Sequence, residues 1–239
     1  MSIICITCHV LIYKLEYDEN PLHCPYCQSF QYDIKQFSEW QKKQYEYIDK
    51  LLEEDLGSYL VRRLWTYEFH ECINARIRGH FDMTLVPYTK EIMEDIKDYC
   101  ASVKYEGLDL YNKQSVEKFL NHVIDHLQQV IMNAPKLPIA MKVYKGFNGV
   151  LYKDKGFIST TINKEIIQEF AKGKFVLKGI IPAYSHCLWF AFEDEILLPD
   201  GTNIETLYVD DEEENVKETY HVIFHTIQQV ASPVGPVFP

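Results

Sequence analysis

The sequence predicts an α+β protein in which a small cysteine-rich module comes first, a helical half follows, and a strand-rich half comes last. Four of the seven cysteines lie within the first 27 residues, in two closely spaced pairs. From residue 38 to about residue 134, apolar side chains recur at helical spacing, whereas after Pro135 and Pro138 they alternate as in strands. Because short connections separate these strands, we expect a mainly antiparallel arrangement and not a doubly wound parallel sheet.

Composition and charge exclude several functional classes. Of the 239 residues, 47% are apolar, which is enough for a packed core. The net charge of -11 opposes binding to nucleic acid or anionic lipid, so neither partner is expected. No apolar run reaches the roughly 18–20 residues of a membrane span, and the first residues lack the basic leader of a signal peptide. We therefore expect a cytoplasmic protein without membrane contact.

The first unit, residues 1–35, has the spacing of a zinc ribbon. Cys5 and Cys8 form one pair, and Cys24 and Cys27 form the second in the segment HCPYC. Each pair can direct two sulfurs from a tight turn to one centre, and four thiolates in a tetrahedron suit one structural zinc ion. A disulfide pair or chance spacing is the alternative, but paired cysteines without an export signal favour metal. Carboxylates outnumber lysines in this unit, which favours contact with protein over nucleic acid.

The helical half has recognisable starts and stops. The predicted helices begin at Ser38, with Gln41 at the return position of a capping box, span Tyr59–Arg78 and Thr89–Ser102, and begin again at Ser115. Gly79 lies where the second of these helices is expected to end. Their apolar stripes are interpreted as core faces and not as ligand sites.

The strand-rich half consists of short alternating or apolar runs. Strands are predicted at 139–146, 156–161, 174–182, 187–192, 195–199, 204–209 and 218–227, with a short helix at 163–173. The acidic run 210–215 is interpreted as the exposed tip of a hairpin.

Three segments of this half carry polar groups in an order that suggests chemistry. The segment VYKGFNG (143–149) ends a strand with a cation and a glycine, GFISTT (156–161) places hydroxyls beside an aromatic ring, and FEDEILLPDGT (192–202) holds two carboxylates two residues apart. Phosphate loops, dinucleotide fingerprints, zinc-protease motifs and nucleophile elbows are absent from the sequence.

These segments resemble the mono-ADP-ribosyltransferases, in particular the bacterial and phage group with an arginine on the first core strand, an STS-type strand and an ExE loop. The segment FHECINARIRG (69–79) is also similar to the helices that precede that core. The resemblance covers roughly residues 40–239. It implies a two-sheet ADP-ribosyltransferase core and a domain at 36–239, divided into a helical segment (36–135) and a strand-rich NAD-binding core (136–239).

The resemblance implies a specific chemistry, with NAD as co-substrate and a protein as acceptor. Cleavage of the nicotinamide–ribose bond develops an oxocarbenium-like cation that a nearby carboxylate stabilises. By resemblance Glu195 is this catalytic carboxylate, and Ser159 positions it by a hydrogen bond. Glu193 and Phe192 would contact the acceptor, and a glutamate at the first position usually accompanies arginine as the modified residue.

The remaining residues of the site are expected to hold NAD. Lys145 and Gly146 occupy the first-strand motif, Thr160 and Thr161 shape the strand beneath NAD, and Phe157 is a candidate for stacking near nicotinamide. Lys145 departs from the family pattern, since lysine offers a point charge where arginine offers a planar fork.

Two alternatives remain open. Water could be the effective acceptor, which would make the protein an NAD glycohydrolase. A catalytically inactive protein could also keep the fold as a zinc-binding adaptor, a hypothesis that the lysine at position 145 favours. Action inside a bacterial host or a phage-infected cell is the expected setting.

Overall fold

The computed structural model describes residues 2–4, 11–13, 34–66, 69–147, 155–163, 166–167, 175–191, 194–213 and 216–226. Helices occupy the first half and strands the second, as the change in apolar period predicts. The helices are α1 (Ile34–Glu54), α2 (Leu56–Thr66), α3 (Phe69–Ile77), α4 (Lys90–Ser102) and α5 (Lys113–Asn133), with a 3₁₀ turn at Met83–Leu85.

Local capping explains where several helices begin and end. Helix α4 matches the helix predicted over Thr89–Ser102, and Thr89 is its cap, since its side chain accepts a hydrogen bond from the Ile92 amide. Gly79 follows the end of α3 with a φ of 77°, a left-handed conformation that glycine adopts readily. The cap of α5 is Asn112 and not Ser115, which instead donates its amide to the Asn112 side chain.

Packing overrides two of the predicted helix boundaries. Helix α1 begins at Ile34, four residues before the predicted cap, because Phe37 stacks on Trp40 at 5.7 Å and packs edge-on against Trp189 at 5.9 Å. In the segment predicted as one helix over Tyr59–Arg78, the described residues form α2, which ends at Thr66, and α3, which begins at Phe69.

The strands of the second half form one mixed sheet. They are β3 (Met141–Phe147), β4 (Ile158–Thr161), β5 (Phe175–Ile181), β6 (Leu188–Phe190), β7 (Glu195–Leu198), β8 (Asn203–Glu213) and β9 (Val216–His225), in the order β6-β7-β4-β3-β5-β9-β8. Neighbouring strands are antiparallel except for β5 and β9, which run parallel. The α+β class and the mainly antiparallel arrangement are therefore confirmed.

The two-sheet expectation differs from the structure in one respect. Strands β6, β7 and β4 form one half of the sheet, and β3, β5, β9 and β8 form the other. A single residue pair, Tyr144 opposite Thr161, joins the two halves in the described residues. The halves therefore behave almost as two sheets, although hydrogen bonding makes them one.

Two apolar cores cover opposite faces of the sheet. The larger core packs the helices against residues such as Phe157 and Leu197, whereas the smaller one contains Trp40, Ile196 and Phe224. Residues of β7 thus alternate between the two cores, as expected for a strand covered on both faces.

Two short strands lie near the N-terminus. Strand β1 (Ser2–Ile4) pairs antiparallel with β2 (Leu11–Tyr13), with Ile3 opposite Ile12. Within the described ranges, no helix has both the length and the apolar character needed to cross a bilayer.

Candidate active site

A cleft opens where β3 and β4 separate. Beyond the pair formed by Tyr144 and Thr161, β3 continues along β5, and β4 continues along β7. The diverging backbones leave a cavity of about 230 Å³, lined by Trp65, Thr66, His70, Tyr144, Lys145, Gly146, Ser159, Thr160, Thr161, Ile166, Ile167 and Glu195. Six predicted site residues, Lys145, Gly146, Ser159, Thr160, Thr161 and Glu195, are in this list.

Glu195 lies at the first position of β7, directly opposite Thr161 on β4. It shares a strand face with Leu197, which packs in the core beside the helices, so the carboxylate faces the helical half. The preceding residue, Asp194, has a φ of 48° and accepts a hydrogen bond from the Ile162 amide at 3.2 Å. This turn fixes the backbone from which the Glu195 side chain enters the cleft.

The helical half contributes a direct contact to this carboxylate. The indole Nε1 of Trp65 donates a hydrogen bond to Glu195 Oε1 at 3.1 Å. The indole is only 3% exposed. It packs edge-on against Phe157 at 5.6 Å between ring centroids and lies 5.7 Å from the ring of His70.

A cation lies across the cleft from the helices. Lys145 Nζ donates a hydrogen bond to the carbonyl oxygen of Ser159, 3.1 Å away. This contact links β3 to β4 in the region where their backbones have separated. A positive charge and a carboxylate therefore both line the same cleft.

The register of the hydroxyl-bearing strand places its side chains relative to Glu195. Ser159 lies opposite Leu197, so it is the diagonal neighbour of Glu195, at a separation of about 7–8 Å in such pairs. Thr160 is buried and donates its hydroxyl to the Ile196 carbonyl at 2.9 Å. The Thr161 hydroxyl accepts a hydrogen bond from the Asn163 amide at 3.1 Å.

Phe157 occupies a different place from the one predicted. Its side chain is 2% exposed and belongs to the core that packs against the helices, and it does not line the cleft. Its ring packs edge-on against the Trp65 indole and so supports that ring.

A second cation lies near Glu195 outside the lining of the cleft. The guanidinium of Arg62 is 4.5 Å from the ring centroid of Phe190. Burial lowers the pKa of Arg62, while negative charge at Tyr59 and Glu195 opposes that shift. Arg62 Nε has no hydrogen-bond partner among the described residues.

Sequence reasoning did not identify Trp65 or His70 as site residues. Both lie in the segment predicted as one continuous helix with a core-facing stripe, and both flank the point where α2 gives way to α3. Trp65 and His70 lie close together in the sequence, which could have suggested a shared site. Nothing in the sequence alone, however, connects them to Glu195.

Several predicted residues lie outside the described part of the chain. These are the acceptor-facing pair Phe192 and Glu193 and the four zinc ligands Cys5, Cys8, Cys24 and Cys27. Among the residues that the structure does describe, no group of three or more histidine, cysteine, aspartate or glutamate side chains could hold a metal ion.

Comparison with known proteins identifies the fold. No protein-family model and no curated protein sequence matches the chain. Among solved structures, it is similar to BECa, an ADP-ribosylating toxin of a binary enterotoxin of C. perfringens solved with NADH, with a TM-score of 0.54 and 14% identity. That match covers 80% of this chain and 48% of BECa, so the chain spans about half the length of that toxin.

Two further structures match over nearly their whole length. Plx2a, an ADP-ribosyltransferase toxin from Paenibacillus larvae, has a TM-score of 0.52 and 11% identity over 82% of this chain and 96% of its own. The Salmonella SpvB ATR domain has a TM-score of 0.50 and 15% identity over 72% of this chain and 99% of its own. At such identities the likeness establishes the fold, so the predicted ADP-ribosyltransferase core is confirmed at that level.

Proposed function

We propose that this chain is an NAD-dependent mono-ADP-ribosyltransferase that modifies a protein, with Glu195 as its catalytic carboxylate. The observation that carries the proposal is the position of Glu195 in the cleft between β3 and β4, with Lys145 on the same lining. The fold shared with ADP-ribosylating toxins supports the same conclusion. The described walls enclose about 230 Å³, below the roughly 300–1,000 Å³ of a typical ligand pocket, which suits one end of a dinucleotide.

The proposed reaction transfers ADP-ribose in one balanced exchange. The bond between the ribose C1′ and the nicotinamide nitrogen breaks, and its electron pair leaves with nicotinamide. The acceptor nucleophile forms a new bond to C1′ and loses a proton. Because C1′ becomes cationic during this exchange, an ionised Glu195 beside the ribose lowers the barrier.

The remaining cleft residues have binding roles in this proposal. Lys145 neutralises the NAD phosphates, and Gly146 keeps the neighbouring backbone accessible. Ser159 presents a hydroxyl on the same strand face as Glu195, whereas Thr160 and Thr161 fix the strand below through their backbone contacts.

Glu193 and Phe192 extend the proposal to the acceptor. A carboxylate two residues before Glu195 would pair with a guanidinium, so we propose arginine as the modified side chain. Replacing Glu193 by alanine then impairs transfer to arginine more than release of nicotinamide to water. Equal loss of both activities would argue against an acceptor-facing role.

A zinc ribbon in residues 1–35 completes the proposal. Cys5 and Cys8 fall in the connection between the antiparallel strands β1 and β2, and a pair of cysteines between two such strands is typical of a ribbon that directs two thiolates to one zinc ion. The second pair, Cys24 and Cys27, would supply the other two ligands. This module would contact the acceptor protein or simply stabilise the chain.

Incubation of the full chain with NAD labelled in its adenosine part, in the presence of a cell lysate, tests the function. Labelled protein bands support transfer. Free nicotinamide without bands supports NAD hydrolysis, and the absence of both products supports an inactive zinc-binding adaptor.

We expect Glu195→Gln to reduce nicotinamide release by about 100-fold or more, since it removes the charge that faces the cation. Glu106→Gln, an exposed position far from the cleft in sequence, is the matched control and keeps full activity.

A further inference from the structure

We propose that Trp65 is a positioning residue that fixes the Glu195 carboxylate through its indole N–H. This inference rests on the proposed function and assigns part of the site to a residue from the helical half. The contact is 3.1 Å long and joins positions 130 residues apart in the sequence. The strands place the Glu195 carboxylate at the cleft, and helix α2 supplies a hydrogen-bond donor to it.

The indole is held in one orientation by its surroundings. The Trp65 side chain is almost fully buried, with Phe157 edge-on below it and His70 beside it. Edge-to-face aromatic packing of this kind favours a single arrangement of the ring. A donor on a ring held in this way has a fixed direction, which a serine hydroxyl on a rotating bond lacks.

The chemistry of the donor suits the role. An indole nitrogen donates and never accepts, so it favours the ionised form of the carboxylate that it contacts. Because the bond engages Oε1, it fixes the orientation of the carboxyl group at the cleft. A carboxylate kept ionised and oriented is the form that stabilises a cationic sugar.

The indole approaches Glu195 from the helical half, whereas β4 is its neighbour within the sheet. Ser159, the residue expected to position Glu195, lies opposite Leu197 and is only the diagonal neighbour of the glutamate. The side chain directly opposite, Thr161, accepts a hydrogen bond from the Asn163 amide. A donor that approaches Glu195 from the helical side therefore complements what β4 provides.

Trp65→Phe tests the proposal, because phenylalanine keeps an aromatic ring and removes the N–H. We expect kcat for nicotinamide release to fall on the order of 10- to 100-fold while the KM for NAD changes less than threefold, since the contact orients a catalytic group. The acidic limb of the pH profile shifts to higher pH, because the ionised carboxylate has lost a donor. A purely structural role for the indole would not move this limb.

Trp189→Phe is the matched control. Trp189 is equally buried, at 3% exposure, but its Nε1 has no hydrogen-bond partner among the described residues. Its replacement also removes an indole N–H from the core, so any general effect on packing appears in both variants. We expect unchanged kcat and an unchanged pH profile for this control, with similar changes in melting temperature for the two variants.

A readout without catalysis separates this inference from the proposed function. The chain has three tryptophans, so its indole ¹⁵N–¹H signals are few and can be assigned by substitution. We expect Glu195→Ala to move the Trp65 signal and to leave the Trp40 and Trp189 signals in place. If the wild-type chain releases no nicotinamide, the proposed function fails, and the indole signal still decides whether Trp65 holds the carboxylate. A Trp65 signal that is unaffected by Glu195→Ala, or a kcat equal in the two tryptophan variants, overturns the proposal.

Discussion

Lys145 Nζ donates a hydrogen bond to the Ser159 carbonyl at 3.1 Å, across the opening between β3 and β4. The cation expected to bind NAD phosphates is therefore already held at the cleft by backbone. An ammonium has three N–H donors, so one lysine can contact more than one acceptor. The contact orders a flexible side chain before the ligand arrives, which partly compensates for the absence of the planar fork of arginine.

Removing this charge is the first test of the site. We expect Lys145→Ala to raise the KM for NAD about 10- to 100-fold, because a charge-assisted contact to phosphate is lost. Steady-state kinetics of nicotinamide release measure the change. Lys142→Ala is the control, since Lys142 lies on the same strand, 5.5 Å from the ring centroid of Tyr144, and does not line the cleft. Equal effects of the two variants would exclude a specific role for Lys145.

The arginine variant tests the departure from the family pattern. We expect Lys145→Arg to lower the KM for NAD by about threefold to tenfold, because a guanidinium can grip phosphate with two parallel bonds. The same kinetic assay gives the result. A higher KM in this variant would show that the lysine is fitted to its contact with Ser159 and is not a weak substitute for arginine.

A glycine at the start of β4 is expected to be essential for the position of the site. Gly156 has a φ of 119°, and a Cβ added there would lie 2.6 Å from Asn74 Oδ1, the atom that accepts a hydrogen bond from the Phe157 amide. We expect Gly156→Ala to lower the free energy of unfolding by about 2–4 kcal/mol, as measured by urea denaturation.

Gly79→Ala separates the cost of a positive φ from the cost of the steric contact with Asn74. Gly79 has a φ of 77°, but a Cβ added there meets no atom within 4 Å. Its replacement therefore costs about 1 kcal/mol of backbone strain alone. If both variants lose the same stability, the contact with Asn74 is not what constrains Gly156.

The metal module gives a prediction that does not depend on the catalytic site. We expect freshly purified chain to contain one zinc ion, and Cys24→Ser to lose it, because a tetrahedral site needs all four thiolates. Elemental analysis measures the content. Cys100→Ser is the control, since Cys100 is a free, half-buried cysteine in α4. Wild-type protein without zinc would refute the ribbon.

Local patterns were sufficient to predict much of the fold. The range of α4 and the end of α3 near Gly79 follow from short segments whose own backbone requirements decide the outcome. The resemblance to mono-ADP-ribosyltransferases also implied that Lys145, Ser159 and Glu195 share one site, because these residues occupy the three motifs of that family. These residues all line the cleft.

The features that escaped prediction depend on long-range packing. The parallel pairing of β5 with β9 joins segments about 40 residues apart, and neither strand carries a local sign of its partner. The contact between Trp65 and Glu195 depends on how α2 packs on the sheet. Phe157 looked like a ligand contact because it adjoins the hydroxyl strand, but the pleat directs it into the core below Trp65.

A half-buried histidine in the helical half makes stability depend on pH. His126 Nε2 lies 2.8 Å from Ser58 Oγ, and its Nδ1 lies 2.9 Å from the Tyr99 hydroxyl. Ser58 donates its own proton to Asp55 at 2.6 Å, so the neutral ring is the form that donates from Nε2 and accepts at Nδ1. Burial lowers the pKa of His126, and nearby His122 acts in the same direction, whereas Asp55 opposes the shift.

The lowered pKa of His126 determines how the stability of the folded chain changes with pH. Between the lowered folded pKa of His126 and the unfolded value of 6.5, the unfolded chain binds more protons than the folded chain. Stability is therefore complete above about pH 6.5 and declines as the pH falls, by at most about 1.4 kcal/mol per pH unit for this group. Burial also lowers the pKa of His186, which adds to the decline.

We expect the melting temperature of the wild-type chain to fall between pH 7.5 and pH 5.5, and to fall less steeply in His126→Gln. Glutamine can still donate and accept at this position, but it does not titrate. His80→Gln, at an exposed turn after α3, is the control and keeps the wild-type slope. Because His126 of α5 contacts Ser58 of α2 and Tyr99 of α4, its protonation loosens the packing of the helix that carries Trp65. An unchanged slope in His126→Gln would show that His126 does not set the acid sensitivity.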